Sequence, residues 1–366
     1  MYIWKLPDWP RFSWDHDEVA KVLAQTRHEQ GRLLRRMESL GFQLREEAVL
    51  RPLTQDVLKT SEIEGEARDP DQVRSSIARR LGMGIGRLTP TGRDLESIVE
   101  MMLDATRQYD QPLTEKRLFG WYASLFPAGR KGLVKIRAGT WRNDRSSPMQ
   151  VVSGAINHER IHHAAPPAGR LAAEMPAFLD WFNEKQGMDP VLKASVAHLW
   201  FATIHPFDDG NGRIARAIAD IALARSEETA QRFYSMSAQI RVERSAYYDT
   251  LEATQKKSMN VTDWHVWFLA CLMRTIGGAE DVLSSVLLKA RFWERHGAAA
   301  MNERQIKVMN RMLDGFVGKL TSSKWAKLAK CSQDTAHRDI LDLMKCGVLK
   351  KNPGGGRSTS CDLTNI

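Results

Sequence analysis

His205-Pro206-Phe207-Asp208-Asp209-Gly210-Asn211-Gly212-Arg213-Ile214-Ala215-Arg216 is the stretch on which the reading of this chain turns. The helical period before it ends near Ile204, where Pro206 cannot continue a helix, and another helix begins near Gly212. The loop therefore delivers its backbone to a helix N-terminus. Gly210 and Gly212 remove side chains where that backbone has to approach something closely, and free N–H groups with a positive dipole end make an anion site. Arg213 and Arg216 add charge. Asp209 is out of place beside an anion unless a cation is present, and a carboxylate next to bound phosphates commonly serves Mg²⁺. His205 is the natural proton acceptor of the loop at neutral pH. A base, an oxyanion cradle, a metal carboxylate and two arginines together predict phosphoryl or nucleotidyl transfer.

Around this loop the apolar pattern is helical almost throughout. Periods of three and four residues predict helices from Asp17 to about Leu40, about Thr54 to Ile63, Asp94 to Thr106 and Thr114 to Leu125. They return at Leu171 to Asn183, Val191 to Ile204, Arg213 to Arg225, Ser245 to Gln255 and Val261 to Ile276. The stretch from Gly132 to Pro167 has a different texture, short strands or a hairpin projecting from a helical body. Beyond Met301, three helical segments (Ile306 to Leu313, Ser323 to Ala329 and Ser332 to Met344) precede a hairpin with a Gly-rich tip. That is a winged helix-turn-helix pattern. The predicted fold is mostly α, with no internal repeat.

Two motif matches fail on context. His158-Glu159-Arg160-Ile161-His162 spells HExxH, which binds zinc only on a helix, where residues i and i+4 share a face. Here the surroundings are strand-like, and in an extended chain the two imidazoles stand about 13 Å apart. The Gly-rich run Leu81 to Gly92 lacks the strand before and the helix after that a dinucleotide fingerprint requires, so it reads as a connector.

Composition sets the frame. The 366 residues are 43% hydrophobic and 27% charged, enough for two or three cores of an ordinary globular protein. No apolar run is long enough to span a membrane, the N-terminal segment has prolines and charges where a signal peptide has none, and the four cysteines lack metal or disulfide spacing. A cytoplasmic protein with no membrane partner is the expectation. Net charge is +9, and residues 301–366 hold twelve Lys and Arg against six Asp and Glu. Such a basic tail predicts an acidic partner such as nucleic acid.

The loop resembles the HPFx[D/E]GNGRxxR signature of the Fic family, with every defining position filled. The resemblance implies adenylylation, the transfer of AMP from ATP to a Ser, Thr or Tyr hydroxyl of a target protein or of the chain itself. It implies His205 as the base, Asp209 as the Mg²⁺ ligand, and Gly210, Asn211 and Gly212 as the phosphate cradle. Arg213 and Arg216 would neutralise phosphates, and Phe207 would anchor the loop in the core. Upstream, Thr60-Ser61-Glu62-Ile63-Glu64-Gly65 resembles the family's inhibitory [S/T]xxxE[G/N] motif, in which the glutamate pairs with the second arginine. A carboxylate there occupies the γ-phosphate's partner and repels the phosphate itself.

Met149 to Gly154 match the family's flap, a hairpin in which Met149, Gln150, Val151 and Val152 would align an extended target segment and Ser153 and Gly154 would bind ATP. Tyr247, Tyr248 and Gln255 correspond to adenosine contacts, although relatives often carry Asn in place of Gln255. The resemblance divides the chain into a helical N-terminal domain (1–92, with the inhibitory helix at about 54–65), a Fic core (93–280), a linker helix (281–300) and a winged helix-turn-helix (301–366). In the last, Gln333, Asp334, His337 and Arg338 would lie on the recognition helix and Lys350, Lys351 and Arg357 on the wing, as DNA contacts. A homodimer burying the N-terminal helices is a reasonable assembly; a DNA-binding regulator that uses the core as a nucleotide sensor and an enzyme removing AMP are the alternatives.

Overall fold

Every residue from Val191 to Ile204 is buried, so this stretch forms a helix that is enclosed all round rather than amphipathic. Asp189 starts it, accepting a hydrogen bond from the Val191 N–H, and Pro190 fills the first turn, where its missing donor costs nothing. This helix and the next one, which starts from the glycine-rich loop, form the centre of the larger of two compact units.

The computed structural model describes residues 1–38, 42–83, 89–127, 129–131, 134–135, 139–144, 148–154, 160–185, 187–297, 301–313, 316, 318–352 and 360–364. In chain order the elements begin with α1 (His16–Glu38), α2 (Phe42–Ile63), α3 (Pro70–Leu81), α4 (Arg93–Arg107) and α5 (Glu115–Leu125). Two short hairpins follow, β1 (Arg130–Lys131) with β2 (Val134–Lys135) and β3 (Gln150–Ser153) with β4 (Arg160–Ala164). Then come α6 (Leu171–Asn183), α7 (Pro190–Ile204), α8 (Asn211–Glu227), α9 (Met236–Val242), α10 (Arg244–Lys256) and α11 (Thr262–His296). The last elements are α12 (Glu303–Leu313), β5 (Leu320–Thr321), α13 (Ser322–Ala329), α14 (Gln333–Lys345), β6 (Leu349–Lys351) and β7 (Ser360–Leu363). The fold is mostly helical with small antiparallel sheets, as expected.

One unit comprises Met1–Leu40 with Arg45–Ala279. Within it the N-terminal segment is sewn onto the core by polar contacts. The Trp9 indole donates to Glu174 at 2.8 Å, Arg27 pairs with Asp189 at 2.9 Å, and the Gln30 amide donates to Glu227 at 2.8 Å. Asp56 of α2 is fully buried and accepts from the Ser235 hydroxyl and the Ser237 N–H at the start of α9. These ties fix α2, and with it the turn after Ile63, against the helices that carry the site.

The other unit comprises Gly41–Leu44 with Glu280–Ile366. Its three-stranded sheet has the order β5-β7-β6, and Trp325, Val308, Met309, Leu343 and Leu349 form its core. Ser332 caps α14 by accepting from the Thr335 N–H, as its position predicts.

Several elements differ from expectation, among them α9, which lies where no helix was predicted. The helix expected from about Thr54 starts at Phe42 and runs through Pro52, because Leu50, Leu53 and Val57 are buried on one continuous face that crosses the expected boundary. The polar stretch after Gly65 gives way to α3, whose Asp69 N-cap, Pro70 and left-handed Gly82 are ordinary helix signals. The linker helix expected over 281–300 is not a separate element, since α11 continues to His296. Among the described residues no helix is long and apolar enough to cross a membrane.

Candidate active site

Two hydrogen bonds close the loop between α7 and α8. The Asn211 side-chain oxygen accepts from the Phe207 N–H at 3.0 Å, and its amide nitrogen donates to the Phe207 carbonyl at 2.8 Å. Phe207 is fully buried, stacked on Tyr122 with centroids 4.2 Å apart, which is the anchoring role expected of it. Asn211 thus spends its side chain on the loop and offers an anion only its backbone. Gly210 caps α8 at φ +75°, a conformation glycine adopts without cost.

His205 ends α7 in the left-handed region at φ 52°, its N–H donating to the Phe201 carbonyl. A non-glycine residue there costs about 1–2 kcal/mol unless its surroundings hold it. Arg142 supplies the hold. Its guanidinium, almost completely buried, donates from Nε to the His205 carbonyl at 2.7 Å and also to the carbonyls of Pro166 and Ile204, and pairs with Asp144 at 2.7 Å. The Arg142 N–H donates to Pro206 as well. Sequence reading did not single out Arg142, because an isolated arginine in a strand-like stretch has no local signature. Burial pushes the His205 imidazole down to about 4, against a smaller upward pull from the Ala202 carbonyl, so the ring is neutral and ready to accept a proton.

Arg216 is buried on α8, and three of its contacts come from the end of α2. Its Nε donates to the Thr60 hydroxyl at 2.9 Å, and one terminal nitrogen donates to the Thr60 carbonyl at 3.2 Å and to Glu64 Oε1 at 2.8 Å. Burial is the largest influence and lowers the guanidinium pKa, but the Glu64 carboxylate together with Tyr247 and Tyr248 outweighs it and the net shift is upward. The other terminal nitrogen is buried without a hydrogen-bond partner. A Cβ placed on Gly212 would come within 2.6 Å of Glu64 Oε1 and 3.3 Å of that nitrogen. The carboxylate therefore lies directly against the glycine cradle.

Arg213 is buried too, over the Phe126 ring at 5.4 Å, and both oxygens of Glu66 stand 3.3 Å from one of its terminal nitrogens. Glu66 also pairs with Arg68 at 2.7 Å. Each arginine of the loop thus faces its own glutamate from a single turn. Glu66 was missed because it lies outside the inhibitory pattern, although its place two residues beyond Glu64 was the available clue.

A cavity of about 680 Å³ brings most of the expected residues together. Its walls include Glu64, His205, Gly212, Arg216, Tyr247, Tyr248 and Gln255, with Val151, Val152 and Ser153 of β3. Gln255 is buried and donates its amide to the Thr203 hydroxyl at 3.1 Å, so that group is engaged within the protein. Tyr247 is buried against His198, which meets its hydroxyl at 2.9 Å. The flap is the expected hairpin, with Val151 opposite His163, Val152 opposite Ile161, and a bulge between Val151 and Val152. Val152 and Ile161 are exposed apolar side chains on it. His162 lies in β4, as the rejection of the zinc motif requires, whereas His158 and Glu159 fall outside the described residues.

Among the described residues no group of three or more His, Cys, Asp and Glu is placed to hold a metal. Asp209, whose Oδ1 accepts from the Gly210 N–H at 2.7 Å, is a single carboxylate beside the cradle. That donor set suits Mg²⁺ shared with phosphate oxygens, not a protein-only metal site.

A neutral histidine at a strained helix end, a glycine-capped helix N-terminus and two buried arginines make an arrangement whose chemistry suits an anionic ligand. Residues 112–223 match the family model of the Fic/DOC family, and residues 2–83 match a domain of unknown function, DUF4172. The chain carries a Fic/DOC domain. It is similar to the protein adenylyltransferase Fic of Aedes aegypti, 28% identical over 222 residues, which is 58% of this chain and 39% of that protein. The protein of the same name from Drosophila willistoni is 41% identical over 66 residues, 18% of this chain and 13% of its own. The chain thus spans about two fifths or less of the length of these relatives. A Fic family protein from Desulfovibrio desulfuricans G20 shares the fold at a TM-score of 0.56 and 20% identity, with 98% of both chains covered.

Proposed function

We propose that this protein is an adenylyltransferase that moves AMP from ATP to a hydroxyl of a target protein, and that Glu64 holds it in check. The observation that carries the proposal is the Glu64–Arg216 pair, seated where a side chain on Gly212 would otherwise stand. Phosphate recognition is the use that a buried cation and a side-chain-free helix N-terminus have in common. The names of the curated relatives point to the same reaction.

In this reading the N–H groups at the start of α8 and Arg213 receive the phosphates, and the γ-phosphate competes with Glu64 for Arg216. His205 accepts the proton of the target hydroxyl as its oxygen bonds to the α-phosphorus and the bond to the β-phosphate oxygen breaks, releasing pyrophosphate. Mg²⁺ held by Asp209 would neutralise phosphate charge. The exposed β3 edge presents the target as an added strand. Arg142 keeps the histidine at the angle the reaction needs.

The test is incubation with α-labelled ATP and Mg²⁺ in cell extract. Labelling of extract proteins is expected to rise in Glu64→Gly and to vanish in His205→Ala; undiminished labelling by His205→Ala would exclude this mechanism. Release of AMP from a previously modified target, without forward transfer, would instead identify an AMP-removing enzyme.

A second reading rests on the smaller unit. Gln333, Asp334, His337 and Arg338 are exposed along α14, and Lys350 and Lys351 are exposed on β6, whereas Arg357 lies outside the described residues. Such a face suits phosphate contact, and DNA binding that weakens steeply with salt would support it. No binding at low salt would exclude it.

A further inference from the structure

The flap and α10 share a chain of three side chains to which the adenylylation reading gives no part in the chemistry. The Ser153 hydroxyl lies 2.5 Å from His162 Nε2, and His162 Nδ1 lies 2.6 Å from Glu252 Oε2. Glu252, on α10, also receives both Arg160 and Lys256, at 3.1 and 2.6 Å. Burial alone would push this carboxyl up, but the hydrogen bonds from Lys256, His162 and Arg160 hold it down at about 2. It is therefore ionised and can only accept.

With an ionised carboxylate beside it, Nδ1 is the donor to Glu252, and the opposite ring nitrogen, Nε2, faces the Ser153 hydroxyl. A serine hydroxyl donating to an imidazole that a carboxylate orients is the arrangement that activates a nucleophile. A fastening of β4 to α10 needs only Arg160, His162 and Lys256 on Glu252, and β3 is already paired to β4 through its backbone. Ser153, His162 and Glu252 line the same cavity as Gly212, Arg216 and His205.

We propose that Ser153 is itself an acceptor of the nucleotidyl group, with His162 as its base and Glu252 as the residue that orients His162. The inference rests on the adenylyltransferase reading for its donor, a nucleoside triphosphate. Ser153 Oγ bonds to the α-phosphorus, the bond from that phosphorus to the β-phosphate oxygen breaks, pyrophosphate leaves, and the hydroxyl proton passes to His162 Nε2. The product carries a nucleotide at the end of the strand that would receive a target, so modification in cis closes the docking edge.

The experiment uses the full chain as Glu64→Gly with α-labelled ATP and Mg²⁺, alone and in extract, with peptide mapping by tandem mass spectrometry. The expected result is AMP on the peptide containing Ser153, absent in Ser153→Ala and formed about 100-fold more slowly in His162→Gln, the size of a general-base contribution. Circular dichroism checks that both variants are folded. Label on extract proteins or on other residues, with Ser153 unmodified, overturns the inference and leaves the adenylyltransferase reading standing. An unchanged rate at Ser153 in His162→Gln removes the base from the proposal. No label on any polypeptide overturns both.

Discussion

Arg216 keeps a full charge in a buried setting because Glu64 and Thr60 complete its surroundings, and removing one partner of such a pair leaves an uncompensated cation. Glu64→Gly therefore frees Arg216 for a phosphate. ATP affinity is expected to rise about tenfold or more, an effect of ~1.4 kcal/mol, measured by isothermal titration calorimetry on His205→Ala to prevent turnover. Glu66 stands farther from its arginine, at 3.3 Å, and is shared with Arg68. Glu66→Ala should raise affinity by a smaller factor and add to the gain from Glu64→Gly; no change in either background would show that Arg213 is available without it. The Glu64 motif was readable in the sequence because a pattern marks it, whereas Glu66 and Arg142 act through partners 147 and 63 residues away.

Among the elements, the loop from His205 to Asn211 depends on its own cross-bracing. Asn211→Ala removes both hydrogen bonds to Phe207 and leaves a buried N–H and carbonyl unsatisfied, at about 1–3 kcal/mol each. A lowered midpoint of urea unfolding together with lost transfer is expected, while unchanged stability would mean that the loop is held from elsewhere. Gly212→Ala tests the cradle differently. The new methyl would lie 2.6 Å from Glu64 Oε1, at the end of a flexible side chain, so it should displace that carboxylate. The double variant with Glu64→Gly should then show less loss of stability from the methyl than the single one, a non-additivity measurable by a double-mutant cycle. The ends of α7 and α8 were legible because Pro206 and the glycines mark the loop between them. Periodicity missed the first turns of α2, which run through Pro52, and all of α3, whose Asp69 cap and Pro70 lie in a short polar stretch.

At the scale of the molecule, burial pushes down several histidines among the described residues, most of all His163 and His198, to about 3, and His205 and His265, to about 4. Their folded values lie below the ordinary value of 6.5, so at intermediate pH the unfolded chain binds protons that the folded chain refuses. Stability is therefore full above about pH 6.5 and falls as pH drops through the window from 6.5 towards 3 to 4. Each such imidazole contributes up to about 1.4 kcal/mol per pH unit within it. Urea denaturation at pH 7.5, 6.0 and 5.0 should show a progressive loss, and a flat midpoint across that range would contradict the burial of these rings.

The sequence by itself determined the helical class, the glycine-rich loop and the identity of the residues that could perform the proposed chemistry, because these depend on local spacing: a proline that stops a helix, glycines that open a helix N-terminus, a histidine and arginines at set intervals. Tertiary structure decided which charges meet. Glu64 reaches Arg216 across 152 residues, Arg142 holds the backbone of His205, and Glu252 orients His162 across 90 residues. Those pairings arise from the packing of α2, the flap and α10 around α7 and α8, and Coulomb and hydrogen-bond energies depend on separation in space, not along the chain.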